Sequence, residues 1–220
     1  MTQTQAQKEA EAIQTYVAMF APRIAQFGDI AVNGSAALVA GEAGTMTFSP
    51  DGLFDIEVTI GTDAGFGAID HRGSTGGPGS SGAGDNHHAY LVAVPKNTAL
   101  SIAINGGSEL GFDIAQSAFV DGNEVVLSAG HNITAGAINA APAMTGNGNE
   151  ASINFTDDDQ GFGPGLLFNS RVDARAVTSI SGFLTDSFVF EDDATFAAGE
   201  VLLTLGSNGM QAGFMLVNGD

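Results

Sequence analysis

Apolar residues at Ala6, Ala10, Ile13, Val17, Phe20, Ile24 and Phe27 follow one another in alternating steps of four and three. On a helix that spacing places them along one narrow stripe. The positions beside the stripe are Gln, Glu, Lys and Thr, and a strict three-four alternation is the seam of a coiled coil rather than the broad face of a helix lying on a core. The pattern therefore predicts an N-terminal α-helical arm over 1–27. Thr4 and Gln7 have the spacing of a capping box at its start, Pro22 should kink it near Ala21, and Gly28 ends it. Ile13, Val17, Phe20, Ile24 and Phe27 are the candidate oligomer interface. Docking of the arm on its own domain is the competing expectation.

Beyond Gly28 the period changes from helical to strand-like. In Leu53 to Ile60, Phe54, Ile56, Val58 and Ile60 alternate with Asp55, Glu57 and Thr59, as in a strand with one buried and one wet face. Ser49-Pro50-Asp51-Gly52 before it has turn chemistry, so Gly44 to Phe48 and Leu53 to Ile60 are expected to form a hairpin. Further hairpins are expected for Tyr90 to Val94 with Leu100 to Ile104, for Leu110 to Val120 with Val125 to Ser128, and for Val201 to Leu205 with Gly213 to Val217 through Asn208-Gly209. Ile133 to Ile138 reads as one short strand, and Leu166 to Phe196 as two or three. Leu202 and Leu203, apolar on both faces, point to a central strand. Short strands at intervals of about 8 to 12 residues predict a mainly β body over 28–220, an antiparallel β-sandwich of jelly-roll or immunoglobulin-like type, preceded by the one helix. Within it Gly73 to Gly84 is almost wholly Gly, Ser, Pro, Thr and Ala, and is expected to be a flexible loop at 73–84.

Charge narrows the range of partners. The 25 acids outweigh 6 bases, giving a formal charge of −19, and such a surface repels phosphate backbones and anionic lipid heads. Nucleic acid and membrane insertion are not expected. Lys8, Arg23, Glu9 and Glu11 cancel within the arm, so the whole excess lies on the body. Cysteine is absent, which excludes disulfides, thiolate metal sites and thiol nucleophiles. The N-terminus has neither a basic nor an apolar signal region, so no cleaved signal peptide is expected. Yet 31 glycines, no Trp and few lysines resemble the make-up of proteins that work outside cells.

Candidate chemistry is sparse. Asp157-Asp158-Asp159 beside Gln160-Gly161 offers hard oxygen ligands, and calcium is the cation such a run would take, although a solvated acidic turn is the plainer reading; Phe168 stands where the EF-hand loop requires a bidentate Glu. His71, Asp85, His87 and His88 flank the glycine-rich loop and could meet around a divalent ion, or a histidine could serve Ser80 or Ser81. Asp55 and Glu57 share one strand face as a glycosidase pair would, although two solvated side chains is the plainer reading. Gly77 to Gly82 matches G-x-G-x-x-G without the strand and helix that give it meaning. No motif identifies a reaction. The expected function is therefore a non-enzymatic structural subunit of a virion or extracellular assembly, as a coat, decoration, tail or filament protein, associating with copies of itself or other subunits and using no cofactor. The alternative is a secreted calcium-dependent binding or adhesion module.

Overall fold

The computed structural model describes residues 14–82, 84–115, 122–143, 150–156, 165–184, 188–205 and 210–218. The chain winds in coils, and each coil lays strands on successive sides of a central core. The first holds β1 (Val17–Ala21), β2 (Ile24–Gln26) and β3 (Asp29–Ala31). The second begins with β4 (Ala36–Ala40), leaves the coil as the hairpin β5 (Ala43–Phe48) and β6 (Phe54–Ile60), and returns as β7 (Ile69–His71) and β8 (Ser74–Gly77). A third follows with β9 (His87–Ala93), β10 (Leu100–Asn105) and β11 (Glu109–Phe112). The fourth has β12 (Asn123–Ala129), a second hairpin of β13 (His131–Thr134) and β14 (Ala137–Pro142), then β15 (Ala151–Thr156) and β16 (Leu166–Phe168). After β17 (Arg171–Ala176) and β18 (Ser179–Leu184), β19 (Phe188–Ala197) turns a corner, and β20 (Glu200–Leu205) and β21 (Met210–Asn218) complete the last coils.

Each strand pairs in parallel with its counterpart one coil away. The first face runs β1-β4-β9-β12-β17-β19, the second β2-β7-β10-β15-β18-β20, and the third β3-β8-β11-β16-β19. Register breaks between Phe190 and Asp193, where β19 passes from the third face to the first. Val172 lies beside Ala194 and Ala194 beside Met215, so a bare coil takes 22 and then 21 residues. This is a three-faced parallel β-solenoid.

The solenoid exists because equivalent inward positions stack. On the second face Ile24, Ile69, Ile102, Ile153, Ile180 and Val201 form one ladder in register, all but Val201 buried. Each such side chain contributes about 1.5 to 3 kcal/mol by leaving water. Phe155, Phe168, Phe190 and Phe196 fill the inner corner, with ring centroids 5.2 to 6.1 Å apart. A second core lies outside the coils. The hairpins join as an antiparallel sheet, β14-β13-β6-β5, whose Phe54, Ile56, Val58, Ile133 and Ile138 cover Ala37, Val39, Tyr90, Val92 and Val126 on the outer side of the first face. That cover explains why β4 and β9 are buried along their whole length.

Two expectations are overturned. The described strands are in parallel coils rather than an antiparallel sandwich, and the antiparallel pairing is confined to the sheet of two hairpins. There is no N-terminal helix over the described part of 1–27: Val17 and Ala21 turn into the solenoid core, Phe20 packs under the hairpin sheet, and Ile24 sits on the second face. Their spacing of three and four comes from apolar residues serving different surfaces across a corner at Pro22, so no single stripe exists. Within 73–84, expected to be a flexible loop, Ser74–Gly77 form β8, bonded to β3 on one side and β11 on the other.

Hairpins fared unevenly for one reason. Gly44 to Phe48 and Leu53 to Ile60 do pair antiparallel. Tyr90 to Val94 and Leu100 to Ile104 lie on adjacent faces instead, as do the described parts of the other two expected hairpins. A turn that reverses the chain and a corner that redirects it use the same Gly, Asn and Pro chemistry. Ile133 to Ile138, expected as one strand, is itself a tight hairpin, with Ala135 and Gly136 at φ 49° and 79°.

Candidate functional site

The outer side of the second face is not covered by the hairpin sheet, which lies on the first. Because inward and outward residues alternate along each strand, the registers align Asp70, Ala103, Asn154, Ser181 and Leu202 in one outward row. Asn105, Thr156, Phe183 and Thr204 form the next. Strand spacing repeats these positions about every 4.8 Å.

Hydrogen bonds tie the polar members together. Thr156 Oγ1 donates to Asn105 Oδ1 at 2.8 Å, Asn105 Nδ2 donates to Asp70 Oδ1 at 2.7 Å, and Arg72 Nε donates to the same carboxylate at 3.0 Å. Ser181 Oγ donates to Asn154 Oδ1 at 2.7 Å. Side chains so linked are held in place before any partner arrives. Arg72 also lies over the ring of Phe27, 5.4 Å from its centroid, and Arg23 Nε donates to Gly67 O at 3.1 Å.

Apolar groups stand free among them. Phe66 is 79% exposed, Leu202 57% and Phe183 52%, and all three border a shallow groove of about 630 Å³ that also includes Arg23, Asp70 and Arg72. Exposed large apolar side chains gathered on one polar-rimmed face mark an interaction surface. The electrostatics agree, since this groove has two arginines and one acid on a molecule of net charge −19. Arg72 is paired with Asp70 at 3.0 Å, which leaves the groove one net positive charge.

The residues singled out from the sequence are dispersed by the fold. His71 is fully buried, with Nδ1 3.1 Å from Ser108 Oγ and Nε2 3.0 Å from Thr75 Oγ1; burial lowers its pKa to about 4. His87 packs on Phe112 and contacts Asp85 at 3.1 Å, whereas His88 stacks on Tyr90 and contacts Glu124 at 3.1 Å. Adjacent strand residues point to opposite sides, so the two histidines cannot share an ion. No group of three or more metal-competent side chains forms among the described residues. Ser81 Oγ donates to Asp85 at 2.9 Å rather than to a histidine, and Ser80 Oγ is buried without a partner among the described residues, so neither is poised by a histidine there.

Asp55 and Glu57 lie on the outer side of the hairpin sheet, where Asp55 accepts a bond from Ala135 N. Asp157, Asp158, Asp159 and Ile13 fall outside the described residues. Of the candidate interface residues, Val17, Phe20 and Ile24 are committed to internal packing, and Phe27 is 60% exposed beneath Arg72. Leu202, expected in a central strand, belongs to the open face, while Leu203 packs on the core. The signal for Phe183 and Leu202 was present as apolar residues at outward positions, but reading it required knowing which side was out.

No protein family, curated protein or solved structure matches the chain.

Proposed function

We propose that the protein is a non-enzymatic structural subunit of a virion or extracellular assembly, and that the second face is where a neighbouring copy or another acidic subunit docks. The observation that carries this reading is the open sheet face itself, on which Phe66, Phe183 and Leu202 stand exposed between Arg23 and Arg72. Three properties suit such a role. Stacked coils give a stiff body, the hydrogen-bonded rows pre-organise the face, and an attractive patch on a repulsive molecule selects one docking geometry over many. A patch meeting a different, acidic patch is a heterologous contact, which builds rings or filaments rather than closed pairs.

Light scattering of the purified chain against concentration tests the reading. Concentration-dependent growth is expected, reduced in Phe183→Ser with Leu202→Ser and in Arg72→Glu, with melting little changed. A protein that stays monomeric at every concentration and beside its native-source subunits would refute it.

A further inference from the structure

The second face carries opposite charges at its two ends. Ile24, Ile69, Ile102, Ile153, Ile180 and Val201 share one register position, so the residues just before them, from Arg23 in the first coil to Ser179 and Glu200 in the last, share another. Arg23 and Glu200 are both exposed and stand at opposite ends of that row. Arg23 Nε donates to Gly67 O, and neither residue forms an ion pair among the described residues.

The backbone is open at the same ends. Among the described residues β1, β2 and β3 begin the three faces and β20 and β21 end them, with no strand beyond. Ile24 N donates to Ala68 O at 2.9 Å and Gln26 O accepts from Arg72 N at 2.8 Å, so these residues face β7 and Ala25 presents its N–H and C=O to the free side. Glu200 N donates to Thr178 O at 3.0 Å, which leaves the backbone groups of Val201 and Leu203 on the free side of β20. With Val201 beside Ile24 of a further copy, these donors and acceptors meet in the register that already joins the coils. The core is open as well: Met19 belongs to the inward column of Leu38, Leu91 and Leu127, which are fully buried, yet it is 43% exposed. A polar cap on the terminal repeats keeps stacked-repeat proteins apart, and unpaired strand edges invite another strand.

We propose that copies of this chain stack end to end, β20 and β21 of one against β1, β2 and β3 of the next, with Glu200 of one copy beside Arg23 of its neighbour. Strand spacing sets those two positions about 4.8 Å apart, within reach of an ion pair. The opposite end of the same chain is the partner that supplies parallel edges in matching register together with the complementary charge. The contact is heterologous and open, so it extends into filaments. It uses the ends of the stack rather than the outer groove and does not depend on it.

Light scattering against concentration, with electron micrographs of the product, tests the proposal on variants of the full chain. Glu200→Arg is expected to raise the concentration needed for assembly roughly ten- to hundred-fold by setting like charges together, Arg23→Glu to do the same, and the two combined to restore it. Arg23 also borders the outer groove, so rescue by the combined variant is what identifies the end contact. Unchanged assembly in a folded Glu200→Arg protein, a combined variant no better than the single ones, or a chain monomeric at every concentration would each overturn it. If Phe183→Ser abolishes assembly while Glu200→Arg leaves it unchanged, the groove contact stands and the stacking is refuted. Should the reversed variants not fold, Glu200→Gln decides: weakened assembly supports the stacking and unchanged assembly overturns it.

Discussion

Single residues in this protein are constrained by the coil above and the coil below. A Cβ added to Gly76 would lie 1.6 Å from Gly111 O on the adjacent strand, whereas one added to Gly82 would meet nothing within 4 Å. Gly76→Ala is therefore expected to prevent native packing of β8 on β11, and Gly82→Ala to change stability by less than about 0.5 kcal/mol, measured by urea denaturation. The two glycines are six residues apart in a segment that composition alone paints as uniform. In the ladder, Ile153→Ala should destabilise by roughly 2 to 5 kcal/mol, since neighbours above and below prevent the site from collapsing. His71 supplies a pH dependence. Its folded pKa of about 4 lies below the ordinary 6.5, so the unfolded chain binds more protons between those values. Stability from this group is present above about pH 6.5 and is lost towards pH 4, by roughly 3 kcal/mol. Asp173, raised to about 6, acts with the opposite sign from its ordinary carboxyl range up to that value. Wild type and His71→Gln compared across this window separate the two: the variant should lose less stability on acidification, and parallel curves would disprove the assignment.

At the level of elements, the hairpins are lids on an apolar face. Ala37, Val39, Tyr90, Val92 and Val126 would face water without them, because these outward positions of the first face are as apolar as the inward ones. Ile56→Asp, placing a charge between the two layers, is expected to detach the β5–β6 hairpin and expose that face. Binding of a hydrophobic dye under conditions where the coils keep their circular-dichroism signal would show it; an unchanged dye signal in a folded variant would mean the sheet does not depend on this contact. The sequence made the β5–β6 hairpin legible, because Pro50 and Gly52 and a clean alternation all agree. It could not show that its inner face meets another sheet rather than another hairpin. The long apolar runs Ala36 to Ala40 and Ala89 to Val94 were the available hint, since a strand buried on both sides loses its alternation.

For the whole molecule, stability is distributed along the stack. Coils two to four have neighbours on both sides and the hairpin sheet above, so their amides in β9, β10 and β12 should exchange slowest, and those of β2 and β20 faster. Hydrogen exchange read by mass spectrometry checks this; uniform protection from coil to coil would indicate one cooperative unit instead. The charge of −19 also acts on the molecule as a whole, and added sodium chloride should favour the folded state and ease the approach of copies by screening over about 10 Å at 0.1 M.

What the sequence determined by itself was the strand-rich character, the placement of many turns, the acidic surface and the absence of thiol chemistry, all properties of residues and their nearest neighbours along the chain. Whether a turn reverses the chain or carries it round a corner was decided by contacts between residues about 20 to 60 positions apart. The same distance separates Ile102 from Ile153, which stack in the core, and Asn154 from Ser181, which share the open face. Strand alternation divides residues into two sets, but it is the closing of the coil that makes one set the inside. Arg23 and Arg72, remote from Phe183 and Leu202 in sequence, became one surface only through that closure.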